Sequence, residues 1–320
     1  MNTGVLVINA GSSSLKFAVF LAAPGTEEFH VALRGQVSGI GSNPVFSASV
    51  LSPPHPADSV STRVDEIGSH RQAIEYALRW VEAHAAGFRL SGVGHRVVHG
   101  GPDRRDPALV TPALLQELET LSPLAPHHQP HNLAAIRALA ETDPDLPQVA
   151  CFDTAFHATQ DPVARLLPLP LALRERGLQR YGFHGLSYEF ITGAVPAHNG
   201  GSLPPRLIVA HLGNGASLCA IRDGKSVATS MGFSTLDGLL MGTRCGDIDP
   251  AVLPWLMAME DMTLHQLNTM LNKHSGLQGV SGISSDMREV LAARAQGYPR
   301  ADLAFRMFCY RVRKYIGAYA

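Results

Sequence analysis

Residues 5–20 read VLVINAGSSSLKFAVF: apolar residues, a run of small polar ones, then apolar residues again. The order is strand (5–8), turn (9–14) and strand (15–20). This is a β-hairpin. Walker and Rossmann loops run from a strand into a helix, and their glycine patterns are absent here. Small residues let the backbone amides of the turn point at one anion. Ser12, Ser13 and Ser14 add hydroxyl donors, and Lys16 adds a fixed positive charge. The same run also suits a solvated hairpin tip.

The chain then repeats its opening. Residues 207–216, LIVAHLGNGA, follow residues 5–14 position for position: apolar strand, polar residue, apolar residue, glycine, then small or polar residues. A strand over 217–221, an Asp223-Gly224 turn and a strand over 226–230 continue it. Two cradles imply two similar half-molecules, able to hold the ends of a polyphosphate chain across a cleft. Two unrelated strand-turn-strand units are the alternative.

At 320 residues the chain exceeds the size of a single core, so two domains are expected, 1–150 and 151–320. It is 45% hydrophobic and 17% charged, and 26 Lys plus Arg nearly equal 27 Asp plus Glu. That balance argues against a polyanion-binding surface, so nucleic acid is not an expected partner. Cys151, Cys219, Cys245 and Cys309 lie far apart with no metal spacing, which points to buried reduced thiols. Neither a signal-like leader nor a run of about 18 apolar residues occurs, so a soluble cytoplasmic protein with no membrane partner is expected.

Between the hairpins, residues 24–68 are rich in Gly, Pro and Ser and read as edge strands with long loops. Ala73, Ile74, Ala77, Leu78 and Val81 recur at helical spacing over 70–86, closed by Gly87. Residues 92–101, GVGHRVVHGG, set Arg96 among histidines and glycines, where backbone approaches a ligand closely. Thr111-Pro112 starts a helix to 121, and 132–140 gives another. The histidines of LAPHHQPH (124–131) read as loop residues, since two prolines prevent the helical spacing of a metal site. Strand 149–152 ends at Asp153, where α/β proteins place catalytic carboxylates; a helix N-cap is the alternative. YGFHG (181–185) likewise holds one polar residue, His184, among glycines and aromatics, and Arg244 sits among glycines in MGTRCGDIDP (241–250). Pro250 opens a helix to 259, Thr263 caps the next, and Gly276 ends it. Ser284 and Ser285 read as caps, with Asp286 in the first turn of a helix to 295. Leu303, Phe305, Met307, Phe308, Val312, Tyr315 and Ile316 suggest one apolar face over 302–320, and the lack of a stop signal suggests that the natural chain continues.

Together these segments resemble the acetate kinase family. The motifs are NxGSSSxK (Asn9 to Lys16), HRVVHGG (95–101), FDTAFH (152–157), YGFHG (181–185), HLGNG (211–215) and MGTRCGD (241–247), in order along the chain. The resemblance implies an α/β fold: the duplicated RNase H-like architecture of actin and the sugar kinases, two domains with an active-site cleft between them. It implies a homodimer that interconverts ATP plus acetate with ADP plus acetyl phosphate, using Mg²⁺ or Mn²⁺. By matching motif, Asn9 supports the metal. Ser12, Ser14 and Lys16 face the phosphates, and Arg96 holds the acetate carboxylate. Asp153 orients Arg96, while His184 and Arg244 stabilise the transferring phosphoryl group. His211, Leu212, Gly213, Asn214 and Gly215, with Asp286, Met287 and Arg288, bind nucleotide. Phosphoryl transfer needs mainly in-line positioning and positive charge, which this set supplies.

Val98, Phe183, His127 and Thr235 are implied to line the acyl pocket. The family pattern has Leu where this chain has His127 and Pro where it has Thr235, so a more polar pocket is expected, favouring acetate over longer acids. Propionate or butyrate kinase activity is the nearest alternative, and a non-catalytic nucleotide-binding module a more distant one. The family pattern also continues beyond residue 320 with a glycine-rich adenine motif and a metal-ligating glutamate, neither present in this sequence.

Overall fold

The opening hairpin forms as its sequence pattern requires. In a computed structural model that describes residues 2–22, 28–51, 59–85, 87–102 and 104–320, β1 (Asn2–Ala10) pairs antiparallel with β2 (Ser14–Ala22). The expectations for residues 23–27, 52–58 and Ala86 lie outside the described residues. The chain divides into two units, Met1–Ala155 and Phe156–Ala320.

In the first unit, β3 (Phe29–Ser38), β4 (Val45–Val50) and β5 (Ser59–Arg63) extend the meander. Helix α1 (His70–Ala83) then leads to β6 (Phe88–Val97) and β7 (Ala108–Leu109). Helices α2 (Pro112–Thr120) and α3 (Gln129–Thr142) precede β8 (Gln148–Phe152). The described strands form one mixed sheet, ordered β5-β4-β3-β2-β1-β6-β8-β7, in which β1, β6 and β8 run parallel. Strand residues alternate between faces. Leu6, Ile8, Leu15, Phe17 and Val19 are buried in one core with Ala73, Ile74, Ala77, Leu78 and Val81 of α1, the helical stripe expected from the sequence. Asn9, Lys16 and Arg96 stand on the opposite, more open face.

Caps set most helix boundaries. Thr111 accepts from Leu114 N with Pro112 in the first turn, as its sequence predicts. Helix α3 starts earlier than expected: Pro130 sits in its first turn, where its missing N–H costs nothing, so His131 is helical rather than a loop residue. Helix α1 ends at Ala83 with His84 as its cap, short of Gly87.

The second unit carries α4 (Pro162–Arg165), α5 (Leu171–Arg174) and α6 (Gly185–His198), then β9 (Arg206–Leu212), β10 (Ala216–Arg222) and β11 (Lys225–Thr229). The described strands here make a smaller antiparallel sheet, ordered β11-β10-β9. The two hairpins correspond in sequence but not quite in register. Ala10 pairs with Leu15 across residues 11–14, whereas Leu212 pairs with Ala216 across residues 213–215, a turn one residue shorter. Asp223 and Gly224 both have positive φ, +49° and +77°, the signature of the tight hairpin turn their sequence predicts.

Helices α7 (Val252–Met259), α8 (Leu264–Lys273), α9 (Gly276–Ser281), α10 (Met287–Ala295) and α11 (Pro299–Tyr319) follow. Thr263 and Gln266 form a reciprocal capping box on α8. Three expectations are corrected. Gly276 opens α9 instead of merely closing α8. Asp286 is itself the N-cap of α10, accepting from Arg288 N, because its short carboxylate reaches that amide. On α11 the small residues Ala301 and Ala304 make the buried face, which leaves Leu303 and Ile316 exposed. Of the cysteines only Cys219 is buried; Cys151 and Cys245 are half-buried and Cys309 is exposed. No helix among the described residues is long and apolar enough to cross a membrane.

Candidate active site

Strand register assembles the first group of polar side chains. Asn9 lies opposite Lys16 across β1 and β2, and Ile8 opposite His95 across β1 and β6, which places Arg96 beside Asn9. Asp153 follows β8 directly. It accepts from Arg96 Nε through both carboxylate oxygens at 3.1 Å and from Arg96 Nη2 at 2.6 Å. Arg96 Nη1 donates to Asn9 Oδ1 at 3.2 Å. The Asp153 carboxylate raises the Arg96 pKa further above its usual value, so the guanidinium remains charged. Asp153 is 2% exposed and Arg96 33%, so the acid forms the floor of the site and the arginine keeps an open edge. Of the two readings open in the sequence, Asp153 pairs with the arginine.

The histidines flanking Arg96 point the other way. His95 and His99 are buried, and burial lowers the pKa of each to about 4. His95 meets the Gln148 carboxamide at 2.7 Å. Both are neutral parts of the scaffold. Val98 is likewise buried, with its N–H donated to Asn132 Oδ1, while His127 is exposed.

In the second unit, His184 and Arg244 converge. A Cβ placed on Gly215 would lie 3.5 Å from both His184 Nε2 and Arg244 Nη1, so the two side chains border one point above the hairpin turn. Arg244 Nη1 donates to the Thr235 carbonyl at 2.9 Å. His184 precedes α6 in the left-handed region at φ +59°, a conformation that costs a non-glycine residue about 1 kcal/mol or more. Gly182 lets this turn close: its φ is +74°, and a Cβ there would lie 2.6 Å from the His157 ring. His184 Nδ1 meets Ser217 Oγ at 2.7 Å, and Ser217 Oγ also meets the Tyr188 hydroxyl. The His184 ring stacks on His211, with centroids 4.1 Å apart, and His211 Nδ1 meets Ser187 Oγ at 2.9 Å. Phe183 is fully buried.

A cleft of about 560 Å³ adjoins this turn, lined by Leu212, Gly213, Asn214, Gly242, Ser285, Asp286 and Met287 among others. Two distant sequence segments expected to hold nucleotide therefore meet at one cavity, within the roughly 300–1,000 Å³ usual for ligand pockets. Gly242 is required there, because a Cβ would fall 1.9 Å from Asn214 Oδ1. Arg288 stands apart: its side chain is 90% exposed and paired to Asp286, which holds that carboxylate down to about 2.

Among the described residues no three His, Cys, Asp or Glu side chains cluster around a metal position, and the Asn9 oxygen expected to face magnesium accepts from Arg96 Nη1. Sequence reasoning also missed Asn132, Ser217 and Tyr188, which hold the site residues in place. Their only signal was a polar atom at a position whose helix or strand period faces inward.

The model of the acetokinase family matches residues 4–320. An acetate kinase from Rhodopseudomonas palustris is 45% identical over 325 aligned residues, covering 100% of this chain and 79% of that protein. Among solved structures, a propionate kinase from Francisella tularensis subsp. tularensis SCHU S4 aligns with a TM-score of 0.90 at 34% identity, over 99% of this chain and 80% of its own. A Porphyromonas gingivalis acetate kinase aligns at 0.86 with 37% identity, over 99% and 79%.

Proposed function

Because the chain belongs to the acetokinase family, and so to the phosphotransferases, we propose that it is an acetate kinase that moves the γ-phosphoryl group of ATP to acetate, giving acetyl phosphate and ADP. The observation that carries this reading is the convergence of His184 and Arg244 on Gly215, beside the cleft formed by Gly213, Asn214 and Asp286. A nucleotide bound in that cleft would present its terminal phosphate to a guanidinium and an imidazole, a charge and a hydrogen-bonding group of the kind a phosphoryl transition state requires.

The acid is assigned to the first unit. Acetate is already ionised at neutral pH, so the acceptor needs no strong base. Asp153 therefore serves as the fixed partner of Arg96, leaving the guanidinium edge for the substrate carboxylate. One acetate oxygen bonds to phosphorus as the bond from phosphorus to the ADP oxygen breaks. Ser12, Ser14 and Lys16 offer donors and charge to the phosphates. Magnesium enters as the counterion of the nucleotide, as part of the substrate. A homodimer in the cytoplasm belongs to the same reading, and sedimentation velocity tests the dimer.

Propionate is the second substrate this reading admits, because a propionate kinase is among the structures the chain matches. Trapping the acyl phosphate with hydroxylamine, with acetate and propionate as acceptors, tests both. We expect hydroxamate from each, with the higher kcat/KM for acetate, since a longer acid gains only about 0.8 kcal/mol per buried methylene. ATP binding without hydroxamate from either acid overturns the assignment.

A further inference from the structure

An anion cradle fails if its own carbonyl oxygens face the anion, so the carbonyls of the hairpin turn must be held elsewhere. In the first unit four of the carbonyls over residues 10–14 are captured. Ser14 O accepts from Gly11 N at 2.7 Å and Ser13 O from Ile40 N at 3.0 Å. The other two go to side chains. Gly11 O accepts from His70 Nε2 at 2.6 Å, and Ala10 O accepts from Asn132 Nδ2 at 2.7 Å.

Asn132 does more. Its Oδ1 accepts from Val98 N at 3.0 Å, so one buried carboxamide joins the end of β1 to the end of β6, as an inserted peptide group would. Ala10 and Val98 are the close neighbours of Asn9 and Arg96. His70, from the first turn of α1, is steadied by stacking on His131 of α3, with ring centroids 5.2 Å apart. The starts of two helices thus grip the turn and the arginine strand together.

We propose that His70 and Asn132 are positioning residues for phosphoryl transfer: they draw the Gly11 and Ala10 carbonyls inward so that the Ser12–Ser14 turn presents donors to phosphate, and Asn132 fixes Arg96 relative to that turn. This rests on the assignment of the turn to phosphate made above.

The test compares His70→Phe, which keeps a ring to stack but loses the N–H, with His70→Gln, which retains an amide donor. We expect His70→Phe to speed amide exchange at residues 11–14 and to raise the Kd for ATP, each by about tenfold, the scale of one lost hydrogen bond. KM for acetate stays unchanged, exchange at residues 5–8 does not move, and His70→Gln recovers to within about threefold of the parent. Asn132→Asp, which keeps the acceptor and loses the donor, weakens ATP and acetate together and decides the matter if His70→Phe does not fold. Unchanged exchange and ATP affinity in the folded variant, or a His70→Gln as impaired as His70→Phe, overturns the proposal. A parent chain that binds ATP but forms no acyl phosphate defeats the functional reading instead, and exchange still decides the clamp.

Discussion

Arg96 and Asp153 stand at the ends of adjacent parallel strands and share three hydrogen bonds, the shortest 2.6 Å, with the carboxylate buried and the guanidinium partly open. The pair has a direction. Asp153 has no remaining open surface with which to meet substrate, so its effect passes through Arg96. Asp153→Asn keeps the shape and removes the charge. We expect kcat/KM for acetate to fall about 10²-fold, the scale of a charged hydrogen bond, with KM for ATP little changed. Steady-state kinetics with each substrate varied checks this, and equal losses for both substrates would show a general collapse.

Ser217 is wholly buried between His184 and Tyr188. Ser217→Ala takes a partner from both. We expect kcat to fall about tenfold and unfolding stability to drop by about 1 kcal/mol, the scale of a lost hydrogen bond. Tyr188→Phe removes only the outer hydroxyl and costs less kcat. Single-turnover rates on the folded variants read the first effect and urea unfolding the second. A loss of stability with kcat intact would make Ser217 part of the scaffold only.

Gly242→Ala places a methyl group 1.9 Å from Asn214 Oδ1 and 3.0 Å from the Ser285 carbonyl. The Asn214 side chain, which lines the cleft, has to shift. KM for ATP rises at least about tenfold and KM for acetate does not, the pattern of a purely nucleotide-binding defect. Titration calorimetry with ATP gives the same answer without catalysis.

His95 and His99 carry a pH dependence. Each is held by burial at a pKa of about 4, against about 6.5 in the unfolded chain. Between these values the unfolded chain binds more protons, so stability rises with pH. Their contribution is complete above about pH 6.5 and is lost as pH falls toward 4, at most about 3 kcal/mol per histidine. Urea midpoints across pH 4–7 therefore climb, and His95→Gln flattens the climb. An unchanged slope in that variant would place the effect elsewhere.

Much of this was legible in the sequence, because local rules and tertiary packing agreed. The apolar period of α1, the Thr111-Pro112 start, the Asp223-Gly224 turn and the repeated hairpin all formed where their residues indicated. Glycine-rich surroundings singled out Arg96, His184 and Arg244, and the end of a strand singled out Asp153; the fold pairs Arg96 with Asp153 and sets His184 near Arg244. Misreadings arose where a neighbour competed. Asp286 took the cap expected of serine, and small alanines on α11 packed more closely than the larger residues beside them. Asn132 and His70 stayed silent because their role is to bond carbonyls far away in the sequence, which no local pattern encodes.

Phosphorus NMR of the 320-residue chain with magnesium, ATP and acetate reads the transfer itself. The account predicts acetyl phosphate and ADP growing in equal amounts, and a rate cut at least about 10³-fold in folded Arg244→Ala, the scale of losing an arginine that stabilises the transferring group. ADP appearing with inorganic phosphate alone, or undiminished turnover by the variant, would contradict it.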